Sequence, residues 1–168
     1  DDGAGIRVAE ALEAQATGLQ VMLCDQLTPE LAEPISQARA VLFIDAQMSD
    51  ASEPTAQAPV DAHLQPLEAS ILGDPSGHAL TPPHLLALSA ALYGPCPPAW
   101  QLLIPGEHWQ VGDQLSAGTA SACRDAVPVV LARVGPAHLG RRQGWTYARR
   151  EAAFLWSCGC EHLLGWSQ

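Results

Sequence analysis

The sequence predicts an α/β fold, a three-layer sandwich with a mostly parallel sheet between helices, on two observations. Helical and extended segments alternate along residues 1–134 in the order helix, strand, helix, strand, strand, helix, strand, helix, the alternation of a layered α/β domain. Within that order, Ala40-Val41-Leu42-Phe43-Ile44 is an unbroken apolar run closed by Asp45. A strand covered on both faces in a parallel sheet has this composition, without the alternation of a half-exposed strand.

Each element has its own local signal. Ile6, Ala9, Leu12 and Ala16 recur at helical spacing and predict a first helix over 4–16. Leu19 to Cys24 follows as a short strand. Thr28-Pro29-Glu30 opens a second helix, with Thr28 as its cap and Pro29 in the first turn; Pro34 is expected to shorten or bend it. After the strand at 40–45, residues 46–59 are rich in Ala, Ser, Pro and Gln and read as a loop. Val60 to Leu67 is expected at a sheet edge, because Pro66 has no N–H for an interior ladder. Thr81-Pro82-Pro83-His84 opens a third helix that runs to Tyr93 and is ended by Gly94-Pro95. Trp100 to Ile104 is the final expected strand, and Ser116 caps a last helix to about Val134, with a kink expected at Pro128.

At 168 residues the chain is long enough for one ordinary core, and the expected division is a domain over 1–134 and a tail over 135–168. The tail begins with linker-like Gly135-Pro136 and Gly140-Arg141-Arg142 and shows no clear periodicity. Eight arginines, no lysine and eighteen acids give a net charge of −10. Residues 1–134 hold four arginines against sixteen acids, whereas 135–168 hold four against two. So acidic a body carries no basic footprint for nucleic acid. No apolar run approaches the roughly 20 residues that cross a bilayer. Cysteines 24, 96, 123, 158 and 160 include no C-x-x-C pair. The first three read as small buried hydrophobes of a reducing, cytoplasmic compartment.

Three residues have the chemistry and the predicted placement for a site. Asp2 starts the first helix, Asp45 closes a central strand, and His84 lies in the first turn of the third helix. Ligands of open α/β sheets collect outside the carboxyl ends of the strands, and two carboxylates with one imidazole form a plausible three-ligand metal set. Taken singly, each has a plainer reading: Asp2 as a helix cap, Asp45 as a loop-fixing acid, His84 as a surface residue. His78 is a nearby rival for His84 but lies in a loop.

Larger segments carry a resemblance. Asp2-Gly3-Ala4-Gly5-Ile6-Arg7-Val8-Ala9-Glu10-Ala11-Leu12 resembles the signature of the hydrogenase maturation proteases. Val41-Leu42-Phe43-Ile44-Asp45-Ala46 resembles that family's central strand, and Thr81-Pro82-Pro83-His84-Leu85-Leu86 its histidine segment. Leu103-Ile104-Pro105-Gly106-Glu107 and Gly112-Asp113-Gln114-Leu115-Ser116 resemble its final strand and the start of its last helix. The resemblance covers residues 1 to about 134. It implies a phosphorylase/hydrolase-like sandwich and an endopeptidase that removes the C-terminal extension of the [NiFe]-hydrogenase large-subunit precursor after nickel insertion. The implied metal ligands are Asp2, Asp45 and His84, the nickel being supplied by the precursor, and Asp1 adjoins the first of them. A monomer without nucleic-acid or membrane partners is expected.

Two departures qualify the resemblance. Many members have Gly-Gly-Thr after the acid of the second strand, where this chain reads Asp25-Gln26-Leu27-Thr28-Pro29-Glu30-Leu31. The family also begins with a buried strand ending in Gly-x-Gly-Asn, which this sequence does not contain, so a truncated sheet lacking its first strand is expected. That departure motivates the alternative function, a non-catalytic metal- or precursor-binding protein or an inactive remnant of the family.

Overall fold

The apolar run of the sequence is the middle of the structure. Strand β2 (Val41–Met48) buries residues 41–44 and Ala46, and its two faces feed two separate cores. Leu42, Ile44 and Ala46 pack with α1 (Ala4–Gln15) and α4 (Ala117–Arg133), whereas Val41 and Phe43 pack with α2 (Ala32–Gln37) and α3 (Pro82–Tyr93). A strand alternates its side chains between faces, so a layer of helices on each side requires apolar residues at consecutive positions. The computed structural model describes residues 1, 3–15, 19–48, 63–71, 80–109 and 114–134, with the backbone of 153–158.

Around β2 the sheet is mixed. Its other strands are β1 (Leu19–Cys24), β3 (Leu64–Leu67), β4 (Ala99–Gly106) and β5 (Ala153–Cys158), in the order β1-β5-β2-β4-β3. The first four in that order are parallel and β3 is antiparallel at the edge. The edge position suits Pro66, which faces Trp100 of β4 in register. The position that the resemblance leaves vacant is filled by β5: Val21 and Leu42 both pair with Leu155. This strand comes from the segment after residue 134, and α1 lies over it, β1 and β2.

Local differences have local causes. The buried stripe of α1 is Ala4, Gly5, Val8, Ala9 and Leu12. Ile6 is exposed instead of buried, because the stripe runs through residues 4/5, 8/9 and 12, one residue step round from the expected 6, 9, 12 and 16. Ala16 lies outside the described residues. Thr28 precedes a 3-10 turn, Pro29–Leu31, but makes no side-chain cap bond; its hydroxyl serves the Glu30 carboxylate, which lowers the pKa of that acid. Pro34 sits in the first turn of α2, where no intrahelical N–H is lost. Strand β2 runs three residues past Asp45, and α4 continues through Pro128.

A proline in an interior strand removes a ladder donor and strands its acceptor. Leu155→Pro should therefore cost at least about 2 kcal/mol of stability in urea unfolding. An unchanged midpoint would show that residues 153–158 do not occupy the interior position.

Candidate functional site

The carboxyl end of β4 is organised by one carboxylate. Asp1 is only 6% exposed, and all four contacts to its carboxylate are donors. Its Oδ2 accepts from the backbone N–H of Glu107 (2.7 Å) and of His108 (2.8 Å) and from the Thr119 hydroxyl (2.8 Å). Its Oδ1 accepts from the N–H of Ser116 (2.6 Å). An ionised carboxylate only accepts, so this set of partners matches it. The Asp1 nitrogen donates to the His108 carbonyl (2.5 Å), and the Asp1 carbonyl accepts the first bond of α1 from Ala4 (3.0 Å). Three segments meet there: the start of α1, the turn after β4, and the N-terminus of α4.

The surrounding residues fit this junction closely. Thr119 Oγ1 lies 2.8 Å from Asp1 Oδ2 and 3.0 Å from the Pro105 carbonyl, so its single proton is shared between them. Ser116 donates its hydroxyl to Thr119 Oγ1 and accepts from the Thr119 N–H, which caps α4 as the sequence predicts. Gly106 is needed for its size: a Cβ there would stand 2.9 Å from Trp109 Cζ2 and 3.2 Å from Asp1 Cβ. The Glu107 carboxylate occupies the space above Gly118 in the first turn of α4, where the helix dipole favours an anion.

The three sequence-predicted ligands fare differently. Asp2 lies outside the described residues, as does His78, the rival of His84; Asp1 and Gly3, which flank Asp2, are described. Asp45 is half-buried on β2, paired in register with Leu103, and its Oδ1 accepts the N–H of Ala46 at 2.8 Å. It does not close its strand, but it lies toward the same end as the Asp1 junction, since Met48 at the end of β2 pairs with Gly106. His84 is half-buried, with Nδ1 2.9 Å from Thr81 Oγ1; this contact replaces the side-chain cap that Thr81 does not make. The first turn of α3 is anchored elsewhere, through Ser70 N–H to the Pro83 carbonyl, just beyond the end of β3. The end of β3, Leu67, pairs with Ala99, where β4 begins. The start of α1 and Asp45 thus share one end of the sheet, and His84 is held by a separate anchor. Among the described residues, no group of three or more His, Cys, Asp or Glu side chains is placed to hold a metal ion.

The cysteines described are thiols. Burial pushes Cys123 up to about 11, with Arg124 and Arg7 pulling it partly back, and its Sγ donates to the Ala4 carbonyl at 3.6 Å. Burial, and then the charge of Asp25, raises Cys24. Cys96 donates to the Leu86 carbonyl at 2.9 Å. Neither Cys24 nor Cys123 therefore offers an activated thiolate at neutral pH. Cys158, Cys160 and His162, which only loosely resemble a metal cluster in sequence, fall outside the described side chains. No helix among the described residues is long and apolar enough to cross a membrane. No family model, curated protein or solved structure matches the chain.

Sequence reasoning placed Ser116 and noted Asp1 only as the neighbour of Asp2; it missed Thr119, Gly106 and the backbone donors of Glu107 and His108. The Ser-x-x-Thr spacing at 116–119 was the available signal. Thr119→Val keeps the shape of the side chain but leaves Asp1 Oδ2 without one of its three donors. It should cost about 1–3 kcal/mol by urea unfolding, and a loss within error would contradict the junction described. Cys123 supplies a second check. A thiol raised from 9.0 to about 11 in the folded state gives stability that is complete below pH 9 and lost as the pH rises through 11. The wild type should weaken over that interval more than Cys123→Ala, as measured by denaturant midpoints at each pH.

Proposed function

We propose that this chain is a nickel-dependent processing endopeptidase of the hydrogenase maturation kind, built on a phosphorylase/hydrolase-like sandwich. The observation that carries the reading is that Asp45 lies toward the same end of the sheet as the Asp1 junction, from which α1 begins. That is where the resemblance calls for two of its three ligands. Helices on both faces of a largely parallel sheet also favour it.

The donor chemistry suits nickel. Carboxylates and imidazole bind first-row divalent ions, and mixed oxygen and nitrogen sets suit Ni²⁺. When the His84 Nδ1–H donates to Thr81 Oγ1, Nε2 keeps its lone pair and the ring is fixed in orientation, the arrangement that supports a ligating histidine. Asp2, Asp45 and His84 would hold nickel that arrives in the precursor as part of the substrate, and the ion when bound supplies Lewis acidity beside the peptide to be cut. Asp1, buried and met by four donors, contributes by fixing the backbone from which α1 begins. The raised thiols of Cys24 and Cys123 are poorly suited to act as rival nucleophiles.

The test is cleavage of nickel-loaded large-subunit precursor by the full chain. Asp2→Ala, Asp45→Ala and His84→Ala should each slow cleavage at least about tenfold, the loss that even supporting residues of metal sites cause. Full activity in all three variants would overturn the site. Wild-type binding of the loaded precursor without cleavage would favour the non-catalytic alternative.

A further inference from the structure

The outer surface between α1 and α4 holds a groove of about 800 Å³. The two helices run side by side in the same direction, since Asp1 meets Ser116 and Thr119 and Ala4 meets Cys123. From Arg7 to Gln15 the groove follows α1 for roughly 12 Å, enough for about four residues of extended chain.

The lining combines two kinds of chemistry. Ala11, Ala120 and Val127 give it apolar surface, and Gln15 and Gln114 bring side-chain amides to its walls. An amide both donates and accepts, which matches a peptide backbone. Pro128 also lines the groove and has no N–H to give to the carbonyl of Arg124, one turn earlier. Arg7 and Arg124 line it from the two helices, and both exert a positive field on Cys123 in the same lining.

The charge is unusual for this molecule. Residues 1–134 contain only four arginines among sixteen acids, yet two of the four line this groove. Among the described residues, the ion pair that Arg7 makes is with Glu10, whose Oε2 is 3.8 Å from Arg7 Nη1 on an exposed face. Such a contact is worth little, so an incoming carboxylate can replace it.

We infer that the α1–α4 groove binds a short acidic peptide, with a carboxylate between Arg7 and Arg124 and apolar side chains along Ala11 and Val127. This inference does not rest on the metal-site reading.

Selection of a random short-peptide library on the immobilised full chain, followed by fluorescence anisotropy of the enriched peptide, tests it. The enriched sequences should combine Asp or Glu with apolar residues. Arg7→Glu and Arg124→Glu should each weaken binding about three- to tenfold, the effect of reversing an exposed charge partner, with melting temperature unchanged. Arg39→Glu, outside the groove lining, should leave affinity within about twofold, inside the spread of a surface change. Absence of enrichment, enrichment of peptides lacking acids, or undiminished binding by the Arg7→Glu/Arg124→Glu double variant would overturn the proposal.

Discussion

The junction at the carboxyl end of the sheet depends on one buried carboxylate. Burying an ionised acid costs several kcal/mol unless donors replace its water, and Asp1 is met by three backbone N–H groups and one hydroxyl. Those donors come from two segments more than a hundred residues away in sequence. The turn after β4 and the start of α4 are thereby fixed to the start of α1. The residues around the contact are selected for close approach: glycine at 106, threonine at 119, serine at 116.

The junction holds the start of α1 still. A ligand carried on the first residues of a helix is useful only if the helix start is rigid, because metal and catalytic geometries tolerate little drift. Asp1 supplies that rigidity for the start of α1, and the ladder between β2 and β4 runs from the same end of the sheet toward Asp45. His84 is oriented by Thr81 at the start of α3, which is tied through Pro83 to Ser70 and packs on β2 through Leu85 and Leu86. The apolar core beneath is sealed on both sides, Leu42 and Ile44 on one face of β2 and Val41 and Phe43 on the other being covered by helices.

Much of the fold was legible because its signals are local. Two-sided burial makes the 40–44 run continuous, Pro66 can sit only where a donor is dispensable, and Ser116 marks the start of α4 by the bond its side chain accepts. Three things were not legible. The role of Asp1 is invisible because its partners are mostly main-chain groups, which have no sequence signature. The interior position of residues 153–158 depends on pairing with β1 and β2 across more than a hundred residues, whereas period-based reasoning sees only an aromatic-rich tail. The exposure of Ile6 shows the limit of periodicity itself: two stripes one step apart fit a short helix, and the buried one runs through residues 4/5, 8/9 and 12. Of the candidate site, what was legible is that Asp45 and the start of α1 lie toward one end of the sheet.

The most direct measurement is native-state hydrogen exchange at the amides of Glu107, His108 and Ser116. These lie in a turn and at a helix start, places where exchange ordinarily proceeds through low-energy local opening. If the Asp1 carboxylate holds them, all three should exchange as slowly as the amides of β2, and Asp1→Asn should accelerate the three together. Exchange at the rate of an open loop in the wild type would contradict the account at its foundation.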